Sequence, residues 1–394
     1  MWDLNILDIL FLNMAFSVTF MGVLINNFEN HLPAFLVKGY KYGSFAYQGA
    51  GANFLQVIEM PKAYYRHFYL FSSPFSLLSL LYMILVYFLN LKVHSFVSFT
   101  LRILLQQQEA SVPALSALIA LLLLAVQCTR RLYETYYMQV FAKSSKINLS
   151  HYLVGHIHYF GCIIAIIGQA PLFCGNQNRE AIQWTNSTTR MFGLPCIIVF
   201  LWAWLEQYRT NIIFANMRRD KKSGEVVTEE HGIPNGRWFE RVSSPHRMCE
   251  ILMYTVLLLL VPTRTFLCIY LWVFGNQVRY SCSVENIIII SSSNPVFQGL
   301  NKIGLVILTH MQTKRHRCKR ICCIPQRSPL WVTTYSKYVF LHCLYKLKKK
   351  MKFSDLKISL VYLHIQTAIQ AHDWYKKTFK SYPLERKALF PHLL

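Results

Sequence analysis

Apolar runs long enough to cross a bilayer recur along this chain and limit what it can fold into. Runs of this length begin near five residues, which are Ile6, Phe68, Ser111, His151 and Met191. A sixth apolar stretch, 249–277, is too long for one span and is broken between Pro262 and Arg264. Because about 20 apolar residues cross the hydrocarbon core as a helix, we interpret this stretch as two shorter helices. The sequence therefore predicts an all-α integral membrane protein with a seven-helix transmembrane bundle.

The composition agrees with a membrane protein and argues against a nucleic-acid partner. Hydrophobic residues make up 54% of the chain and charged residues 15%, whereas about a quarter of a soluble domain is charged. The eleven cysteines are irregularly spaced, which is typical of buried thiols rather than of a disulfide framework. The formal net charge is +23, but residues 278–366 alone hold 15 Lys and Arg against 2 Asp and Glu. The remaining charge is spread over loops beside apolar runs, which favours contact with membrane lipid.

Positive charge alternates between successive loops. Loops 26–67, 128–149 and 209–248 carry 4, 4 and 8 Lys and Arg, whereas loops 91–109 and 172–190 carry 2 each. Because loops rich in Lys and Arg remain in the cytosol, the first set is predicted to be cytosolic. The N-terminus then lies across the membrane, and after seven spans the C-terminus returns to the cytosol.

Two polar stretches, 231–246 and 372–394, are rich in aromatic, basic and hydroxyl side chains. The first contains a turn at Pro234, Asn235 and Gly236 and ends at a predicted helix start, where free backbone N–H groups favour phosphate. The second ends in the apolar residues 388–394, so we interpret it as a folded lid rather than a free tail on anionic lipid. Together they predict cytosol-facing loops and a tail that bind a charged cofactor.

A further polar group lies at the cytosolic end of the third predicted span. Arg131 and Glu134 are three residues apart, so a structural ion pair is one interpretation. A carboxylate with a functional role beside the membrane is the other. Tyr137 follows closely, whereas Tyr64 and Tyr65 precede the second span, where an interfacial aromatic belt is an equally simple reading.

Three strings of residues carry a resemblance to a known family. They are Ile233-Pro-x-Gly236-x-Trp238-Phe239-Glu240-x-Val-Ser243-Ser244-Pro245, Cys128-Thr-Arg130-Arg131-Leu-x-Glu134, and Phe379-x-Ser381-Tyr382-Pro383-x-x-Arg386-Lys387-Ala388. At these residues the chain resembles the steroid 5α-reductase family, and within it the polyprenal reductase branch. The resemblance covers residues 1–277 and 367–394.

The resemblance implies an endoplasmic reticulum membrane enzyme that uses NADPH to reduce a carbon–carbon double bond conjugated to a carbonyl. In this branch the substrate is a long-chain polyprenal, and reduction of its α-isoprene unit gives dolichal for dolichol synthesis and protein N-glycosylation. The implied fold is one seven-helix domain with a cytosolic cofactor pocket, a lipid-open substrate cavity and no metal. The implied cofactor-binding residues are Gln207, Asn211, Arg218, Trp238, Phe239, Ser244, His246, Glu250, His372, Tyr375, Tyr382 and Arg386.

For catalysis we expect hydride addition at the β-carbon, with negative charge developing on the carbonyl oxygen. Glu134, together with Tyr64, Tyr65 or Tyr137, is expected to polarise the aldehyde as a neutral acid in an apolar setting. Two alternatives remain open. One is a reductase of the same family that acts on a 3-oxo steroid or an enoyl thioester, and the other is a non-catalytic membrane lipid-binding protein.

Residues 278–366 differ in composition from the rest of the chain, with five of the eleven cysteines and basic runs at 314–320 and 348–352. Their Cys and His spacing fits no standard zinc site. Two interpretations of this segment remain. It is either a polybasic insert that binds the membrane or an intron translated in frame. Codons for Val278 begin with GT, Gln366 can be encoded by CAG, and removal restores the family's spacing. We therefore predict one reductase domain, 1–277 with 367–394, and an insertion at 278–366 without packed structure.

Overall fold

The computed structural model describes residues 4–33, 36–37, 40, 59–106, 109–141, 145–174, 179, 182–220, 223, 225–228, 232–277, 376, 381–383 and 385–386. The predicted insertion 278–366, the candidate residues His372 and Tyr375, and the apolar end 388–394 lie outside these residues. All described helices belong to one compact unit, formed by residues 1–280 and 353–394.

The described residues form eight α-helices and one short pair of strands. The helices are α1 Ile6–Phe28, α2 Tyr65–Phe88, α3 Ser95–Leu105, α4 Ala114–Tyr133, α5 Leu149–Ile167, α6 Ser187–Asn216, α7 Pro245–Leu260 and α8 Arg264–Gln277. Strand β1, Glu59–Pro61, pairs antiparallel with β2, Lys146–Asn148, with Met60 opposite Ile147.

Within the described ranges, four segments are long and apolar enough to cross a membrane, which indicates a multi-pass membrane protein. They are Lys62–Phe88, Ala114–Met138, Leu149–Ile167 and Thr189–Asn216. Helices also occupy the other predicted positions, at α1, α7 and α8, but seven spans remain a prediction. The interruption of the sixth apolar stretch is confirmed: α7 ends at Leu260 and α8 begins at Arg264, with Pro262 between them, which has no backbone N–H to continue a helix.

Helix α3 was not expected from the sequence. His94 caps its start by accepting a hydrogen bond at Nδ1 from the backbone N–H of Phe96 (3.2 Å), and Gln106 ends it in a left-handed conformation (φ 50°). Leu101 and Leu105 are buried, whereas Phe96 is 68% exposed. This helix is therefore short and amphipathic, unlike the long apolar runs by which the spans were recognised.

The loops rich in Lys and Arg contact one another at one end of the helices. Strands β1 and β2 join loop 26–67 to loop 128–149. Arg218, from loop 209–248, donates to the carbonyl of Val140 at 2.7 Å. The loops poor in Lys and Arg also meet each other, since Arg179 donates to the carbonyl of Leu91 at 3.1 Å. The alternation of charge along the sequence therefore corresponds to two groups of loops in the structure.

The start of α1 is tied to the start of α8 by buried polar contacts. Arg264 Nε lies 2.6 Å from Oδ2 of Asp8, a carboxylate that is fully buried. Asn5 Nδ2 donates to Thr265 Oγ1 at 2.9 Å and its side chain caps α1. Since buried carboxylates need a charged or hydrogen-bonding partner, these contacts fix how the first and last described helices pair.

Candidate functional site

A cavity of about 630 Å³ lies between the helices, and residues of α1, α2 and α4 to α8 line it. Five of the residues predicted for catalysis or cofactor binding face it, namely Tyr65, Gln207, Asn211, His246 and Glu250. They come from α2, α6 and α7, elements that are far apart in sequence. The fold therefore gathers a substantial part of the predicted site around one space.

A hydrogen-bonded network of amides and carboxylate forms the wall contributed by α6 and α7. Gln207 Nε2 donates to the backbone carbonyl of His246 at 3.0 Å and also to the carboxylate of Glu250. Gln127, on α4, donates to Gln207 Oε1 at 3.0 Å, and Arg130 donates to the same oxygen. Because each side chain is held by its neighbours, this wall is preorganised before any ligand binds.

His246 sits in the first turn of α7, ahead of the apolar stretch, with its ring edge-on to Phe214 at 5.2 Å. Burial lowers the pKa of His246 to about 3, and the nearby Arg247 and Arg131 act in the same direction. The imidazole is therefore neutral at physiological pH. Its buried Nδ1 has no hydrogen-bond partner among the described residues. A polar ligand in the cavity would satisfy this atom, since buried polar groups are normally hydrogen-bonded.

Glu134 lies behind the cavity wall rather than on it, and its surroundings are ionic. It is fully buried, with Arg131 donating to its Oε2 and Arg130 Nε lying 3.2 Å from its Oε1. Asn211 Nδ2 also donates to Oε2 at 2.9 Å. The prediction of an apolar setting for Glu134 is therefore wrong, because two arginines compensate the carboxylate. Arg131 and Asn211 line the cavity and Glu134 does not.

The predicted tyrosines differ in their position. Tyr65 lines the cavity and packs edge-on against Phe68 at 5.0 Å. Tyr64 is 39% exposed and packs against His67 at 4.7 Å, whereas Tyr137 is 70% exposed. Neither of the last two lines the cavity. Both occur in short turns beside a helix, where the sequence does not reveal which way a side chain points.

The segment 232–246 forms a turn that packs onto α6. Gly236 has a φ of 92°, a conformation that favours glycine, and its N–H donates to Glu240 Oε1 at 2.6 Å. Phe239 is fully buried against Phe214 at 5.1 Å, whereas the half-buried Trp238 packs edge-on against Trp202 at 5.8 Å. The two aromatic residues therefore anchor the turn, and neither lines the cavity.

Part of the tail lies against this turn. The Tyr382 hydroxyl shares a hydrogen bond with Ser243 Oγ at 2.7 Å. Arg386 donates from Nη1 to the carbonyl of Pro234 at 2.9 Å and from Nη2 to Asn235 Oδ1 at 2.7 Å. Both tail residues are buried. The fold thus brings together the two polar stretches, although they are more than 100 residues apart in sequence.

The two remaining described candidates do not line the cavity. Ser244, which is buried, is the N-cap residue of α7, and its side chain makes no capping hydrogen bond. The guanidinium of Arg218 donates to the backbone carbonyl of Val140. Arg218 therefore joins two loops rather than forming the cavity wall.

Two residues that face the cavity, Tyr69 and Arg131, were not among the predicted site residues. The sequence indicated Arg131 only as the partner of Glu134 in an ion pair. Arg131 Nε donates to the Tyr69 hydroxyl oxygen at 3.2 Å, and the guanidinium lies 5.1 Å from the centre of the Tyr69 ring. A signal was present, because Tyr69 follows the candidate Tyr65 by four residues, which places both on one face of α2.

The chain is similar to a family model and to several known proteins. The family described as 3-oxo-5-alpha-steroid 4-dehydrogenase matches residues 307–394, a range that overlaps the predicted insertion. The chain is similar to polyprenal reductase of Drosophila melanogaster, with 32% identity over 280 residues, covering 70% of this chain and 85% of that protein. Polyprenal reductase of Ailuropoda melanoleuca is 29% identical over 64% of this chain and 80% of its own length. The human polyprenal reductase is 32% identical over 50% of this chain and 62% of its own length.

The Drosophila relative is matched over most of its own length and more than two thirds of this chain, and the family model covers the C-terminal region. The chain therefore belongs to the steroid 5α-reductase family, in its polyprenal reductase branch.

Proposed function

We propose that this membrane protein reduces the α-isoprene double bond of a polyprenal to give dolichal, with NADPH as the hydride donor. Family membership supports the reaction class. The observation that carries the proposal is the cavity wall of Gln207, His246 and Glu250, where amide, imidazole and carboxylate groups converge beside a membrane-type bundle. Concave pockets in which fixed polar groups converge are typical of cofactor sites.

The residues present fit a nicotinamide nucleotide. The neutral imidazole of His246 has an unsatisfied buried nitrogen. The Glu250 carboxylate, which Gln207 holds on the same wall, offers an acceptor. NADPH supplies a hydride to the β-carbon of the enal when it is bound. The proposed contacts with the rest of the nucleotide, outside this wall, are Arg218, Trp238, Ser244, His372, Tyr375, Tyr382 and Arg386. Phe239, which is fully buried, would support them by anchoring the turn.

The chain's own residues would stabilise the charge that develops on the aldehyde oxygen. Asn211 and Arg131 face the cavity with N–H donors, and both are held by Glu134 from behind. Preorganised donors of this kind are worth about 100- to 1,000-fold in turnover. We propose that Glu134 contributes to catalysis through these two side chains, with Tyr65 as the predicted tyrosine that faces the cavity.

We also propose that the site opens to the cytosol at the endoplasmic reticulum membrane, in a seven-helix bundle with a cytosolic C-terminus. The grouping of the Lys- and Arg-rich loops at one end, by β1–β2 and by the Arg218 contact with Val140, supports this orientation. The tail residues Tyr382 and Arg386 contact the same end, in loop 209–248. A soluble phosphorylated cofactor would reach the site from that side.

Purified protein tests the proposal directly. NADPH oxidation that requires added polyprenal, with dolichal identified by mass spectrometry, is the expected result. Turnover of a 3-oxo steroid or an enoyl thioester but not of polyprenal would favour another activity of the same family. Polyprenal binding without oxidation of NADPH would favour a lipid-binding protein.

A further inference from the structure

One tyrosine that faces the cavity, Tyr69, already accepts a hydrogen bond from an arginine at its phenol oxygen. Tyr69 and Arg131 both line the cavity, and Arg131 Nε donates to the Tyr69 oxygen at 3.2 Å. The guanidinium also lies 5.1 Å from the Tyr69 ring centre. The ring also packs against Tyr159 at 5.4 Å. Tyr69 is therefore fixed in orientation by α4 and by α5.

This arrangement determines what the Tyr69 hydroxyl can still do. A phenol can accept and can donate a hydrogen bond. Because a guanidinium has donors only, the bond from Arg131 uses the acceptor side and leaves the Tyr69 proton to be donated elsewhere. A permanent positive charge beside the oxygen also stabilises the phenolate that remains after the proton leaves.

Arg131 is itself held in place from the opposite side. Its Nη1 donates to Glu134, a fully buried carboxylate that also accepts from Asn211 at 2.9 Å. Glu134, Arg131 and Tyr69 therefore form a continuous chain that runs from the protein interior to the cavity. Tyr69 is the residue of this hydrogen-bonded series that can donate a proton to a substrate in the cavity.

We propose that Tyr69 is the general acid that protonates the α-carbon of the substrate, with Arg131 and Glu134 as positioning residues. The inference rests on the proposed function. Hydride adds two electrons to the β-carbon, the carbon–carbon π bond breaks, and an enolate forms. The enolate then takes the Tyr69 proton at the α-carbon, which restores the carbonyl and leaves a phenolate beside Arg131. Water re-protonates the phenolate after product leaves.

The cavity contains a second candidate acid, which the geometry favours less. His158 lines the cavity, but its Nε2 lies 2.6 Å from the hydroxyl of Tyr254, which is almost fully buried and does not line the cavity. The imidazole is thus engaged with a partner on the side away from the cavity. His158→Gln serves as the competing variant in the test below.

The variant Tyr69→Phe removes the proton and keeps the ring that contacts Arg131 and Tyr159. We expect kcat with polyprenal to fall by about 100- to 10,000-fold, the range for loss of a general acid, while the dissociation constant for NADPH stays unchanged. Tyr133→Phe is the matched control, because Tyr133 is 49% exposed and outside the cavity. Wild-type kcat in Tyr69→Phe would overturn the assignment, as would a comparable loss in His158→Gln with none in Tyr69→Phe.

A second measurement separates proton donation from a structural role and applies even if Tyr69→Phe does not fold. Replacing Tyr69 by 3-fluorotyrosine keeps its shape and makes the phenol more acidic. The alkaline limb of the pH profile of kcat should then move to lower pH, and an unmoved limb would contradict the assignment. Wild-type protein that oxidises no NADPH with polyprenal would overturn the proposed function itself, and this inference with it.

Discussion

At the scale of single residues, the buried charges around Glu134 set the chemistry of the cavity wall. Two arginines, the buried Arg130 and the partly exposed Arg131, are held beside one fully buried carboxylate. Removing one partner of such a cluster leaves the others uncompensated, which costs more than the cluster contributes when complete. The cluster therefore couples stability of the bundle to the position of the donors that face the cavity.

We predict that Glu134→Gln lowers the free energy of unfolding by about 3–5 kcal/mol, because both arginines lose their counter-charge. Turnover per folded molecule should also fall by about tenfold or more, since Arg131 and Asn211 lose the group that aims them. Thermal unfolding in detergent and polyprenal-dependent NADPH oxidation measure the two effects. Undiminished turnover would remove Glu134 from the mechanism.

Asp8→Asn is the control for that experiment. Asp8 is also a fully buried carboxylate paired with an arginine, but its partner is Arg264, whose side chain is 38% exposed. We expect a smaller loss of stability, because water can solvate the released guanidinium, and no change in turnover per folded molecule. A loss of turnover in both variants would indicate that general destabilisation explains the Glu134 result.

At the scale of helices, the packing of α5 on α2 shapes the cavity. A Cβ atom added at Gly155, on α5, would lie 2.7 Å from the ring of Phe68, which is closer than any ordinary contact. Phe68 cannot easily move away, because Tyr65 and His156 pack against it at 5.0 and 5.1 Å. Both Gly155 and Phe68 line the cavity, so the close approach of these helices sets its width.

We predict that Gly155→Ala destabilises the protein by about 1–3 kcal/mol through overpacking. It should also raise KM for polyprenal, because Phe68 is pushed towards the space that the substrate needs. Gly193→Ala is the matched control, since its nearest atom is Thr189 Cγ2 at 3.9 Å. Ala favours a helix over Gly, so this control should keep or gain stability and leave KM unchanged. Equal behaviour of the two variants would contradict the packing argument.

The positions of the helices along the chain could be predicted from the sequence, whereas the directions in which their side chains point could not. Hydrophobic runs predicted the helices from α1 to α8 apart from α3, and Pro262 predicted the break. Charge composition singled out the two polar stretches that Tyr382 and Ser243 bring together. The proposed roles of Glu134 and Tyr69 depend on how each helix is rotated against its neighbours. That rotation cannot be predicted from the composition of a single sequence.

At the scale of the whole molecule, the tail is hydrogen-bonded to the 232–246 turn, which leads into α7 and its cavity-lining residues. We predict that Arg386→Ala weakens NADPH binding by about 10- to 100-fold, or about 1.4–2.7 kcal/mol, because the turn loses the buried charged hydrogen bonds that hold it and part of their free energy is lost from binding. The bonds lost are those to Pro234 and Asn235. Lys376→Ala, an exposed position in the same tail, should leave binding unchanged. Equal affinity in both variants, measured by quenching of tryptophan fluorescence, would argue against a role for the tail.

The predicted insertion, residues 278–366, separates the end of α8 from the C-terminal tail in the sequence. Its removal joins Gln277 directly to Thr367, and so brings the end of α8 close in sequence to the tail that contacts the 232–246 turn. Arg247 donates to the carbonyl of Gln277 at 3.2 Å, so the end of α8 already lies beside that turn. A short connection would suit this geometry. The family match to residues 307–394 points the other way, because it extends into the segment.

Deletion of residues 278–366 distinguishes these two possibilities. We predict that the shortened chain restores dolichol synthesis in a dolichol-deficient cell at least as well as the full chain does, because loop closure costs less for a short connection and the tail then docks more readily. The shortened chain carrying Tyr69→Phe is the matched negative control. Rescue by the full chain alone would mean that part of 307–366 belongs to the reductase fold. Transcript sequencing that finds these codons in mature message would then rule out an intron, and the segment would be a genuine part of the enzyme between α8 and its tail.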